Sequence, residues 1–170
     1  MTTWDSRRIL RELADSERRR KVLTTFWKGD DLQSKALATA QIAKALHFRE
    51  ETIRKMPAAK KADLLAARIG SHEVTQFLDM ALMQYHTKER GPLMAAFLDR
   101  WKIPHVNGTI ETDTYDVPSA DQVREAVAEL EGTHDRRDIA IYLATAGLLM
   151  GEEWRAATWP VVEELAAGLS

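Results

Sequence analysis

An all-α fold is what this chain predicts, as a single multi-helix bundle of about eight to nine helices over residues 1–170. Three observations predict it. Apolar residues recur at three- and four-residue spacing along nearly the whole chain, which is the period of one helix face. Ser, Thr or Asp precede many of these runs, and Gly or Pro follow them, as helix starts and stops require. Only residues 102–118 lack the helical period.

Taken in order, Ile9, Leu10 and Leu13 mark a first face, and Val22, Leu23, Phe26 and Trp27 mark a second after the polar run Asp15–Arg20. One straight helix would bury Ser16 and Arg20, so two are expected, the second capped by Asp15 or Ser16 and stopped by Gly29. Asp30 with Gln33 makes a capping-box pattern for a helix carrying Leu37, Ile42, Ala45 and Leu46 to about His47. A short turn from Arg49 to Lys55 ends before Pro57, which opens a helix running to Ile69 and Gly70. Ser71 caps an amphipathic helix with Val74, Phe77, Leu78, Ala81, Leu82 and Tyr85 on one face, and Gly91-Pro92 starts another that ends near Trp101. Within the loop, Asn107-Gly108 between His105-Val106 and Thr109-Ile110 signals a short hairpin. Ser119 and Gln122 box the next helix, Thr133 caps an apolar central helix to Met150, and two short helices separated by Pro160 close the chain. Trp27, Trp101 and Trp154 lie beside apolar stripes and are expected in the core, whereas Trp4 and Trp159 are expected to be exposed.

Composition narrows the function. At 45% apolar and 29% charged residues the chain can bury a full core and keep its exterior wet. With no cysteine it has no disulfide, thiolate zinc site, iron–sulfur cluster or cysteine nucleophile. Residues 1–8 hold no apolar stretch of the kind a secretory leader needs. The longest apolar run, 139–150, falls short of the roughly 20 residues a bilayer needs. A cytoplasmic protein without membrane contact is expected. No phosphate-binding glycine loop or Gly-x-Ser-x-Gly elbow occurs, so no cofactor is expected.

Charge is sorted along the chain. Residues 1–61 hold 15 Lys/Arg against 8 Asp/Glu, residues 62–110 hold 5 against 5, and residues 111–170 hold 4 against 13. Such sorting points to an acidic partner for the basic front, or to contact between the first and last thirds within one chain or across a homodimer. The residues for that contact are Arg7, Arg8, Arg11 and Arg18–Lys21 against Glu125, Glu129, Glu152, Glu153, Glu163 and Glu164.

Three groups of residues are candidate sites. In Thr39–Met56, Ile42, Ala43, Leu46, Phe48, Ile53 and Met56 stand where a helix-turn-helix packs its helices, Gln41 and the short turn His47-Phe48-Arg49 also fit, and this segment resembles that DNA-binding motif. It departs from the pattern at His47, where glycine is usual, and at Pro57, which shortens the second helix. With the basic front, the resemblance nominates Arg18, Arg19, Arg20, Lys21, Gln41, Arg49, Arg54, Lys60 and Lys61 for nucleic acid. The loop residues His105, Glu111, Asp113 and Asp116 are the candidate metal ligands, although no calcium-loop spacing is present. His72 and His134 sit in fragments of metal-site motifs that lack their further ligands, and with His105 they are the histidines a bound metal would use. The expected function is a non-enzymatic protein-interaction or scaffolding module, with self-association of basic front and acidic back. Nucleic-acid binding is the alternative, and a metal-dependent hydrolase using histidines and the acidic loop is the second.

Overall fold

Aspartate and serine side chains set where half of the α-helices begin. In the computed structural model, which describes residues 2–169, Asp5, Asp15, Asp31, Ser119 and Asp135 each accept a backbone N–H from the first turn of the helix they precede. These donors have no partner inside the helix, so the cap fixes the start. The elements are α1 (Ser6–Arg8), continuing as one π-helical stretch Ile9–Leu13, then α2 (Ser16–Lys28), α3 (Leu32–Leu46), α4 (Glu50–Arg54) and α5 (Ala58–Ala66). A 3-10 turn, His72–Val74, leads into α6 (Thr75–Glu89), followed by α7 (Gly91–Arg100). After the hairpin β1 (His105–Val106) and β2 (Thr109–Ile110) come α8 (Ala120–Leu130), α9 (Arg136–Leu149) and α10 (Glu152–Ala167). The fold is all-α, and the hairpin is its only sheet among the described residues.

Packing divides the chain into two compact units, Met1–Leu13 with His86–Ser170 and Ala14–Tyr85. The charge sorting follows this division. Ala14–Tyr85 holds 13 Lys/Arg against 9 Asp/Glu, and the other unit 11 against 17. We call them the basic and the acidic unit.

The acidic unit is built on α9, in which every residue from Ile139 to Gly147 is buried. Helix α10 lies against it, close enough that the Trp159 indole Nε1–H donates to the Ala144 carbonyl at 3.1 Å. The N-terminal segment packs on α9 as well, its Leu13 carbonyl accepting from Arg137 at 3.0 Å. Arg8 lies 3.7 Å above the Trp4 ring and reaches Glu163 at 3.1 Å, so the first and last thirds do meet at this point. In the basic unit α2 packs on α5, with Phe26 and Phe77 in ring contact at 6.2 Å.

Several sequence expectations are corrected here. Residues 152–167 form one helix instead of two, running through Pro160. Proline inside a helix costs about 3 kcal/mol. Burial of Val161, Val162 and Leu165 beyond it contributes roughly 1.5–3 kcal/mol each and prevails. Trp4 and Trp159 are buried, not exposed: Arg8 lies over the Trp4 ring, and Trp159 packs on Ala144 and Gly147 of α9. Asp135 caps α9 in place of Thr133, whose hydroxyl instead donates to the Leu130 carbonyl. Helix α5 ends at Ala66 rather than Ile69.

The cap of α3 is Asp31, one residue beyond the expected Asp30. Its carboxylate accepts both the Ser34 N–H at 3.0 Å and the Ser34 hydroxyl at 2.7 Å. The Ser34 hydroxyl, then its N–H, hold the Asp31 carboxyl below the usual range. Such a group stabilises the fold above the unfolded carboxyl range and loses that contribution as pH falls through its folded value. Asp31→Ala is therefore expected to lower the melting temperature by about 2–5 °C at neutral pH, with a smaller difference in acid. Asp30→Ala should leave it unchanged. Equal effects of the two in thermal melts would contradict this cap.

Candidate functional site

All nine side chains nominated for nucleic acid fall in the basic unit, but most of their charge is engaged there. Arg18 pairs with Asp15 at 2.7 Å, and Arg19 donates to the Ala14 carbonyl at 3.2 Å. Arg20 grips Asp63 through two bonds of 3.0 and 2.7 Å, drawing that carboxyl below its usual range. Arg54 faces Glu50 at 3.9 Å. Lys61 sits 5.0 Å from the Trp27 ring centre, where burial and then Lys35 lower its ammonium pKa. Lys21, Arg49 and Lys60 are exposed, and Gln41 is half-buried. Charges drawn into separate local pairs do not form the continuous stripe that tracks a phosphate backbone.

The segment 39–56 does form two helices joined by a tight turn. His47 takes the left-handed conformation (φ 57, ψ 35) that glycine usually supplies, and Ile42, Ala43 and Ile53 are buried between the elements. Two features depart from a DNA reader. Phe48, expected in the packing, is 49% exposed. Helix α4 has five residues, and its leading Glu50 and Glu51 pair with Arg54 and Lys55. Acidic groups there complement the helix dipole and repel phosphate.

In the loop, Asn107 (φ 52) and Gly108 (φ 87) both take positive φ, the turn that an Asn-Gly hairpin needs. A Cβ at Gly108 would lie 2.8 Å from the Gly91 carbonyl oxygen, so only glycine fits. His105 staples this turn. Its Nε2 lies 2.6 Å from Asp99, and its Nδ1 accepts the Gly108 N–H at 3.0 Å. Both ring nitrogens are thus engaged within the hairpin and its neighbour α7. Glu111, Asp113 and Asp116 are exposed, and no group of three or more His, Asp or Glu side chains among the described residues has metal-holding geometry. The structure therefore does not bring His105, Glu111, Asp113 and Asp116 together as a metal site.

Two other sets of exposed apolar side chains stand out, beside residues (Arg49, Glu152 and Glu153) that the sequence had named for other contacts. In the basic unit Leu32 (73% exposed), Leu37 (48%) and Phe48 lie open to solvent on and just beyond α3. Lys44, two turns from Leu37 on the same helix face, and Arg49 have no ion-pair partner among the described residues. In the acidic unit Leu149 (43%) and Met150 (40%) are open at the end of α9. Glu152 and Glu153, which start α10, are exposed and likewise unpaired. The helical period carried a signal for the first surface, since Leu37 lies five residues from Ile42 and so off its face. Comparison with known proteins finds no matching family model, no matching characterised protein and no matching solved structure.

Proposed function

We propose that this protein is a non-enzymatic interaction module that docks through two apolar patches of opposite charge, its first partner being a second copy of itself. The observation that carries this reading is the match between the patches. Leu37 and Phe48 are flanked by Lys44 and Arg49, and Leu149 and Met150 are followed by Glu152 and Glu153. The apolar side chains supply the attraction, because removing them from water is favourable. Exposed ion pairs contribute only about 0–1 kcal/mol each, so the charges decide which faces meet. A two-fold dimer would use each match twice. The engagement of both His105 nitrogens supports a binding role over a catalytic one. A cytoplasmic setting belongs to the same reading.

Nucleic-acid binding is the second reading, favoured by the gathering of all nine nominated side chains in the basic unit. Sedimentation velocity of the full chain, alone and with a labelled duplex of about 20 base pairs, separates the two. The module reading expects association at about 50 mM salt that fades by about 500 mM, where screening reaches within a few ångströms, and no co-sedimenting DNA. A chain that stays monomeric at low salt while carrying the duplex would reverse the order of the two readings.

A further inference from the structure

The loop between β2 and α8 closes over the end of α7 to leave a cleft of about 350 Å³ in the acidic unit. That is within the usual range for ligand sites, roughly 300–1,000 Å³. Its wall on one side follows a Schellman turn, in which Ile103 N–H bonds the Leu98 carbonyl at 2.9 Å and Lys102 takes the left-handed conformation (φ 59). The half-buried rings of Trp101 and Tyr115 line the cleft together with Pro104 and Pro118. Tyr115 is held in place by Trp154, whose indole N–H donates to its hydroxyl oxygen at 3.3 Å.

Tyr115, Gln122 and Lys102 have donors to offer in the cleft, while the Trp101 indole N–H is spent on the Gln122 carbonyl at 3.4 Å. The Tyr115 hydroxyl accepts from Trp154, and its own proton has no acceptor among the described residues. Gln122 uses its side-chain oxygen on the Ser119 N–H at 2.8 Å, which leaves its amide N–H groups to donate. Lys102 adds an exposed ammonium. The charged acceptor on the rim is Asp116, exposed and without an ion-pair partner among the described residues.

We propose that this cleft binds a proline-rich segment in the extended polyproline conformation, with a basic residue at Asp116. Such a segment presents backbone carbonyls and, at proline, no N–H, which suits the donors of Tyr115, Gln122 and Lys102. Proline rings pack against aromatic faces, and aromatic-lined grooves are how such segments are recognised. The site shares no residue with the α3 patch or with Leu149–Glu153, so peptide binding and self-association can fail separately.

The test uses the ¹⁵N-labelled full chain and follows the Trp101 indole N–H, assigned by its absence in Trp101→Phe. Decaproline should shift that signal saturably, with a Kd of about 10–500 µM, and a proline decamer carrying one arginine should bind several-fold tighter. Asp116→Ala, on an exposed loop position, should erase the arginine advantage and keep decaproline binding. Tyr115→Phe should weaken both peptides several-fold. No shift with decaproline to about 5 mM, or equal shifts with a Gly-Ser decamer or free L-proline, would overturn the proposal. An arginine advantage that survives Asp116→Ala would overturn the placement of the basic residue.

Discussion

Gly147→Val is expected to abolish cooperative folding. A Cβ at residue 147 would collide with the Trp159 indole nitrogen and lie 2.6 Å from Trp159 Cδ1 and 2.7 Å from the Thr158 hydroxyl oxygen. Neither neighbour is a flexible chain end. Trp159 is buried and tied to the Ala144 carbonyl, and Thr158 is buried and tied to the Trp154 carbonyl at 2.7 Å. Forcing a side chain into a filled core costs about 1–3 kcal/mol or more. Tearing the indole from Ala144 adds about 1–3 kcal/mol for the unmet buried donor. Together these reach the lower end of the stability of an ordinary domain, about 5–15 kcal/mol. Circular dichroism should show no sharp thermal transition for the valine variant and a lowered one for Gly147→Ala. A valine variant melting like the parent chain would mean that α9 and α10 do not cross here.

Leu143→Asp is the second severe change. Leu143 is fully buried at the middle of α9, within a run of nine consecutive buried residues. The substitution removes a packed side chain, at about 2–5 kcal/mol, and places a carboxylate where water is excluded. Ile141→Asp should act alike. Both variants should be insoluble or lack a cooperative melt, and Leu143→Met should melt close to the parent. A soluble Leu143→Asp protein with an unchanged melting curve would remove α9 from the core.

Why some of this was legible and some not follows from the range of the forces involved. Caps and turns are decided within a few residues, so Asp15, Ser119 with Gln122, and Asn107-Gly108 were readable one by one. The apolar period of α6 and the buried run of α9 were readable for the same reason. Pro160 misled because its local cost is outweighed by burial against α9, which no window around it contains. Trp159 misled similarly, since it is buried against Ala144 on α9, outside any short window around it. The rejoining of residues 1–13 with 86–170 left no local mark.

The candidate surfaces divide along the same line. The basic excess was plain from composition, but whether a cation is open or engaged depends on its neighbour in space. Arg20 is held by Asp63, 43 residues away in the chain. Lys44 and Arg49, by contrast, have no ion-pair partner among the described residues and lie near exposed Leu37 and Phe48 in the chain. Phe48 was expected to pack between α3 and α4, and the shortness of α4 leaves it uncovered.

The most direct measurement is a mixing experiment between two charge-reversed proteins, Lys44→Glu/Arg49→Glu and Glu152→Lys/Glu153→Lys. Alone, the first sets acid against acid and the second base against base, so each should sediment as a monomer at about 50 mM salt. Mixed in equal amounts, every contact pairs opposite charges again, and a one-to-one complex should form that dissolves at high salt. If both variants associate as the parent chain does, or if the mixture stays monomeric while the parent associates, the two patches are not each other's partners.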